Sequence, residues 1–72
     1  MSKNKTIGQL FREAREEKGL TQEQVAGKAG LHSNTVAKIE REEQEPKFSN
    51  ALDLGEVLGI PESKITPYYR KN

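Results

Sequence analysis

Residues 21–41 of this 72-residue chain read TQEQVAGKAGLHSNTVAKIER. Thr21 followed three residues later by Gln24 has the form of a capping box, in which each side chain satisfies a free backbone N–H at a helix start. Gly30 can end that helix because glycine adopts a positive φ without steric cost. After it, apolar residues recur at helical spacing with polar residues between them. The segment therefore predicts two short helices joined by a tight turn, which sets them at a steep angle.

The second of these helices has two possible N-caps, His32 and Ser33, of which Ser33 is intrinsically better. Its outer face carries hydrogen-bonding groups rather than a row of carboxylates. Ala26 is small where the two helices must cross closely. The positions that must be apolar to hold the angle are Val25, Leu31, Val36 and Ile39.

Three further helices are predicted around this pair. Helix 1 starts from a second capping box, Thr6 with Gln9, and shows the apolar spacing of an amphipathic helix. Ser49 is the expected cap of helix 4. The predicted ranges are about 7–18 for helix 1, 49–58 for helix 4 and 62–65 for helix 5. Five short helices without strand-like alternation indicate an all-α orthogonal bundle.

We expect residues 1–5 to form a flexible N-terminal arm, residues 6–66 the folded domain and residues 67–72 a C-terminal tail. Tyr68 and Tyr69 fit two interpretations, loose aromatic residues of the tail or part of a dimer contact. Helix 5 and the tail are the expected dimer seam, with Ile60 and Ile65 as further apolar contacts.

Composition narrows the possible functions. The chain has no cysteine and one histidine, so it offers neither a disulfide framework nor a plausible metal site. It shows no catalytic constellation and no glycine-rich phosphate loop, and we expect neither an enzyme nor a cofactor. The net charge is +1, which counts weakly against nucleic acid, although the distribution of charge matters more than its sum. With no signal peptide and no apolar run near the ~20 residues of a membrane span, a cytoplasmic location is expected.

The order and spacing of these segments resemble the phage-repressor helix-turn-helix family (Cro/cI-type, XRE). The resemblance also covers residues 15–22, REEKGLTQ, and residues 51–60, so it spans nearly the whole chain. It implies a lambda-repressor-like DNA-binding fold, with the helix-turn-helix formed by helices 2 and 3. It further implies a homodimer that binds double-stranded DNA at a two-fold operator.

The resemblance also implies roles for individual residues. Gln22, at the start of helix 2, matches a residue that binds a DNA phosphate. Arg15 and Glu40 match a buried or half-buried ion pair between helices 1 and 3. The residues that match base-reading positions are Ser33, Asn34 and Lys38, and those that match nearby backbone or thymine contacts are His32 and Thr35.

One segment departs from the family pattern. The loop after helix 3 reads REEQEPK, residues 41–47, where the family usually has glycine, asparagine and basic residues. Three glutamates beside a DNA backbone would repel it. Either the loop turns away, or Arg41 and Lys47 alone contact phosphates, or DNA binding is weak. The alternative function is therefore a protein-interaction module on the same fold, such as an adaptor, an antitoxin-like protein or a co-regulator.

Overall fold

The computed structural model describes residues 5–70, and within that range no residue lies in a β-strand. The predicted all-α class and its five helices are confirmed. The helices are α1 (Ile7–Glu17), α2 (Gln22–Ala29), α3 (Ser33–Glu40), α4 (Phe48–Leu58) and α5 (Glu62–Ile65), followed by a 3-10 helix (Thr66–Tyr68). None of the helices in this range is both long enough and apolar enough to cross a membrane.

Both predicted capping boxes are present. Thr6 Oγ1 accepts from the backbone N–H of Gln9 at 3.1 Å, and Gln9 Oε1 accepts from the N–H of Thr6 at 3.0 Å. At α2 the corresponding distances between Thr21 and Gln24 are 3.0 and 2.8 Å. These bonds satisfy N–H groups that the helix itself leaves without partners, which fixes the two starts locally.

The structure selects one of the two possible caps of α3 and moves the predicted start of α4 by one residue. His32, not Ser33, is the N-cap of α3 and makes no side-chain cap bond; its carbonyl accepts from the N–H of Val36 at 3.2 Å. The α4 helix begins at Phe48 after Lys47 as N-cap, so Ser49 already lies inside the helix. In each case the residue before the N-cap is held by the folded chain: Leu31 packs against the core, and Pro46 is buried.

The nine core side chains, contributed by all five helices, are each at most 4% exposed: Phe11, Val25, Ala26, Val36, Ile39, Ala51, Leu54, Leu58 and Ile65. Ile65 has a relative exposure of 0%, so its expected place in a dimer seam is wrong. Its side chain completes the core of one chain instead, because α5 packs against α4.

The two tyrosines after α5 pack within the chain. The Tyr68 hydroxyl donates to the carbonyl of Lys5 at 2.8 Å, and the Tyr69 hydroxyl donates to that of Pro46 at 2.6 Å. The Tyr69 ring meets Phe48 edge to face, with 5.2 Å between ring centroids. Neither tyrosine is a loose tail residue. Residues 1–4 of the expected arm, and residues 71 and 72 of the expected tail, lie outside the described residues.

Candidate nucleic-acid interface

The turn between α2 and α3 spans only residues 30–32. Gly30 adopts φ 74° and ψ 30°, and the N–H of Leu31 donates to the carbonyl of Ala26 at 2.8 Å. The left-handed conformation at residue 30 reverses the chain direction, and half-buried Leu31 packs against the core. The predicted helix-turn-helix is therefore present, and the buried face of α3 holds that helix at a fixed angle to α2.

The opposite face of α3 is open to solvent. His32, Asn34, Lys38 and Arg41 are exposed, whereas Ser33 and Thr35 are half-buried. Asn34 and Lys38 are four residues apart, a spacing that places side chains on one helix face. The structure thus places two of the three candidate base-reading residues, Asn34 and Lys38, on one exposed face, and contacts with DNA stay a prediction.

Arg15 and Glu40 form a bidentate ion pair between α1 and α3. Arg15 Nε lies 2.7 Å from Glu40 Oε2, and Arg15 Nη2 lies 3.0 Å from Oε1. The exposed fractions of the two side chains are 14% and 4%. Arg15 Nη1 also donates to the carbonyl of Leu20 at 2.9 Å. The hydrogen bonding of Arg15 to the Glu40 carboxylate is the main reason that the pKa of Arg15 is raised above its ordinary value.

Gln22 has a partner that sequence reasoning missed. Its amide Nε2 donates to Glu40 Oε1 at 3.0 Å, although the two residues are 18 positions apart. The sequence suggested only a phosphate for this amide. No local pattern could have revealed the contact, because it exists only where α2 crosses the end of α3. One N–H and the carbonyl oxygen of the amide remain for another ligand.

In the loop after α3, residues 41–47, some of the charged side chains are paired with other groups of the same protein. Arg41 Nε and Nη2 donate to the two carboxylate oxygens of Glu43 at 3.0 and 3.1 Å. This contact lowers the pKa of Glu43 and raises that of Arg41. Glu42 accepts from Thr6 Oγ1 at 2.8 Å, so its carboxylate lies against the start of α1. A phosphate contact by Arg41 would therefore compete with its contact to Glu43.

Within residues 5–70, no group of three or more His, Asp or Glu side chains is arranged to hold a metal ion.

Comparisons with known proteins agree with this geometry. The helix-turn-helix family HTH_3 matches residues 11–65. The chain is 32% identical over 68 residues to an uncharacterized HTH-type transcriptional regulator, y4dJ, of Sinorhizobium fredii, which covers 93% of this chain and 88% of that protein. It is 40% identical over 60 residues to the immunity repressor protein of Bacillus phage phi105, across 83% of this chain and 42% of the repressor. The chain thus spans less than half the length of the phage protein.

The family match begins inside α1 and ends with α5, so it includes the whole of α2, the turn and α3. On this match and on the two relatives, the chain belongs to the XRE-type helix-turn-helix family of DNA-binding transcriptional regulators.

Proposed function

We propose that this chain binds a specific operator as a homodimer and regulates transcription by placing α3 of each copy in the major groove. The observation that carries the proposal is the exposed polar face of α3, held in place by buried residues on the opposite face of the same helix. A major groove about 12 Å wide admits one α-helix, which reads base edges through its side chains. The immunity repressor among the relatives favours repression.

The residue roles follow from side-chain chemistry. Asn34 can bind adenine through two hydrogen bonds, and Lys38 can donate to guanine. Ser33 can bond a base or a phosphate, and His32 and Thr35 are assigned contacts with the DNA backbone or a thymine methyl. Gln22, at the first turn of α2, would bind a phosphate, since helix N-termini favour anions.

A binding-site selection tests the proposal. The protein selects from a library of duplexes at two salt concentrations, beside an Asn34→Ala, Lys38→Ala variant and a Lys64→Ala control that removes the same charge from α5. We expect the wild type and the control to enrich one two-fold motif and the double variant to lose that preference. Binding that ignores both the DNA sequence and these substitutions would overturn the proposal.

The second candidate is a protein-interaction module, favoured by the contact that engages Arg41 with Glu43. Salt separates the two functions. Each neutralised phosphate contributes about −0.9 to the slope of log affinity against log salt. A steep slope on the selected duplex supports DNA binding, whereas a chain that serves as an adaptor would show no selected duplex at all.

As a DNA regulator, the chain would act in the cytoplasm.

A further inference from the structure

Three donor groups converge on the carboxylate of Glu40. Two come from Arg15 on α1, and the third is the amide of Gln22 on α2. Glu40 itself is the last residue of α3, and its side chain is 4% exposed. One buried carboxylate therefore joins α1 to both helices of the helix-turn-helix.

The hydrogen bond from Gln22 is not needed to complete the Arg15–Glu40 ion pair. Its effect is to orient the side-chain amide of Gln22. Arg15 binds both oxygens of Glu40, so the ion pair has its full bidentate geometry without the amide. The amide, in contrast, sits on a flexible side chain that would otherwise sample several rotamers. Ordering such a side chain before binding removes an entropic cost that binding must otherwise meet.

The Gln22 amide belongs to the first turn of α2, where the first backbone N–H groups have no acceptor within the helix. The side chain of Thr21 caps the N–H of Gln24, while the first N–H groups of a helix, here those of Gln22 and Glu23, have no intrahelical acceptor. With one amide hydrogen directed to Glu40, Gln22 keeps a second N–H for the same anion. Both kinds of donor are then available to one phosphate.

We infer that Glu40 is a positioning residue for DNA binding: its buried carboxylate orients the Gln22 amide toward a DNA phosphate and sets that contact in register with α3. The inference rests on the proposed function. Glu40 belongs to α3 and Gln22 to α2, so the bond fixes the offset between the phosphate contact and the base-reading face. Glu40 need not touch DNA to affect affinity.

A cycle of variants on the selected operator tests this role. Single Glu40 substitutions would leave the charge of Arg15 unpaired, so both partners are replaced together, as Arg15→Met with Glu40→Met. Replacing a buried ion pair by apolar residues of similar volume is often neutral for stability. Cooperative thermal unfolding checks that each variant folds. The cycle combines this pair with Gln22→Ala.

We expect Gln22→Ala to weaken binding by about threefold to tenfold, the value of one hydrogen bond. The Met pair should weaken it by a similar factor while Gln22 is present, and by much less when Gln22→Ala is already in place. A loss from the Met pair that is undiminished in the Gln22→Ala background, or no loss at all, would show that Glu40 only supports the fold.

Two further readouts depend on orientation rather than on stability. Replacing single phosphates by neutral methylphosphonates should reveal one position per half-site whose effect requires Gln22, and that effect should disappear in the Met pair. In the free wild-type protein, NMR relaxation should show a rigid side-chain amide at Gln22 and a mobile one at exposed Gln44. Equal mobility at both residues would overturn the inference without any variant.

The proposed function and the positioning role of Glu40 can be disproved independently of each other. A wild type without sequence-selective, salt-dependent binding contradicts the proposed function itself. A wild type that binds its operator, and whose affinity falls with Gln22→Ala independently of the Met pair, contradicts only the positioning role of Glu40.

Discussion

Gly8 lies in the first turn of α1, where that helix meets the end of α3. A Cβ atom at this position would collide with the backbone carbonyl of Ile39 and would come within 3.3 Å of Cγ of Glu42. A backbone carbonyl cannot rotate aside as a long side chain can. The absence of a side chain therefore allows α1 to dock closely enough for Arg15 to reach Glu40.

We predict that Gly8→Ala lowers the free energy of unfolding by about 1–3 kcal/mol, the usual cost of an overpacked site. Gly27→Ala is the matched control. An added Cβ at residue 27 meets nothing within 4 Å, and alanine is favoured over glycine inside a helix by about 1 kcal/mol. Denaturant unfolding should therefore show opposite signs for the two variants, and a Gly8→Ala protein as stable as wild type would disprove the close docking.

The phenol of Tyr69 allows a test that depends on pH. Burial, with a smaller contribution from the charge of Glu45, raises its pKa to about 12 from an ordinary value of 10.0. A raised pKa means that the folded state favours the protonated phenol. Its contribution to stability is therefore complete below about pH 10 and is lost as the pH rises toward 12.

In a Tyr68→Phe background, we predict that the tyrosinate absorbance of the folded protein appears near pH 12. The unfolding free energy should also fall between pH 10 and 12, and this fall should be smaller once Tyr69→Phe is added. Comparison within this background cancels the titration of the lysines. A tyrosinate midpoint near 10 would show that the Tyr69 ring is not held in place.

At the C-terminal end of α3, a backbone turn and two side-chain contacts hold the first residues of the following loop. Glu42 adopts φ 65°, and the N–H of Glu43 donates back to the carbonyl of Lys38 at 2.8 Å. This left-handed residue ends the helix where glycine is usual, and it turns the carboxylate of Glu42 toward Thr6. The next carboxylate, of Glu43, then lies against Arg41.

We predict that Glu43→Gln strengthens binding to all duplexes, specific and nonspecific alike. The change removes a negative charge and frees Arg41 for a phosphate, so the salt slope should steepen by about 0.9 for one added phosphate contact. The control is Glu17→Gln, which removes the same charge at an exposed position of α1 and should have little effect on the slope. Equal gains from both variants would mean that net charge, rather than release of Arg41, sets the affinity.

At the scale of the molecule, size limits the geometry of the proposed dimer. The described chain measures 33 × 25 × 23 Å along its principal axes. Half-sites one helical turn apart have centres about 34–36 Å apart, so two copies can lie side by side on one face of the DNA. The two copies can then touch only if both half-sites lie on the same face of the DNA.

We predict that inserting about half a helical turn, ~5 base pairs, between the half-sites abolishes cooperative binding, because it rotates one site to the opposite face of the DNA. Footprinting should still show each half-site bound singly at higher protein concentration. Cooperativity that survives the insertion would contradict a dimer held by contacts between adjacent copies.

Local chemistry in the sequence determined the number of helices, both capping boxes and the end of α2 at Gly30. Each of these features depends on contacts within four residues or on the freedom of glycine to adopt positive φ. The helix-turn-helix followed because its spacing is also local. Only the tertiary structure decided which residue begins α3 or α4, that the two tyrosines pack inward, and that Gln22 is bound by Glu40. Those contacts join residues brought together by crossing helices, and their energies depend on burial that no short segment contains.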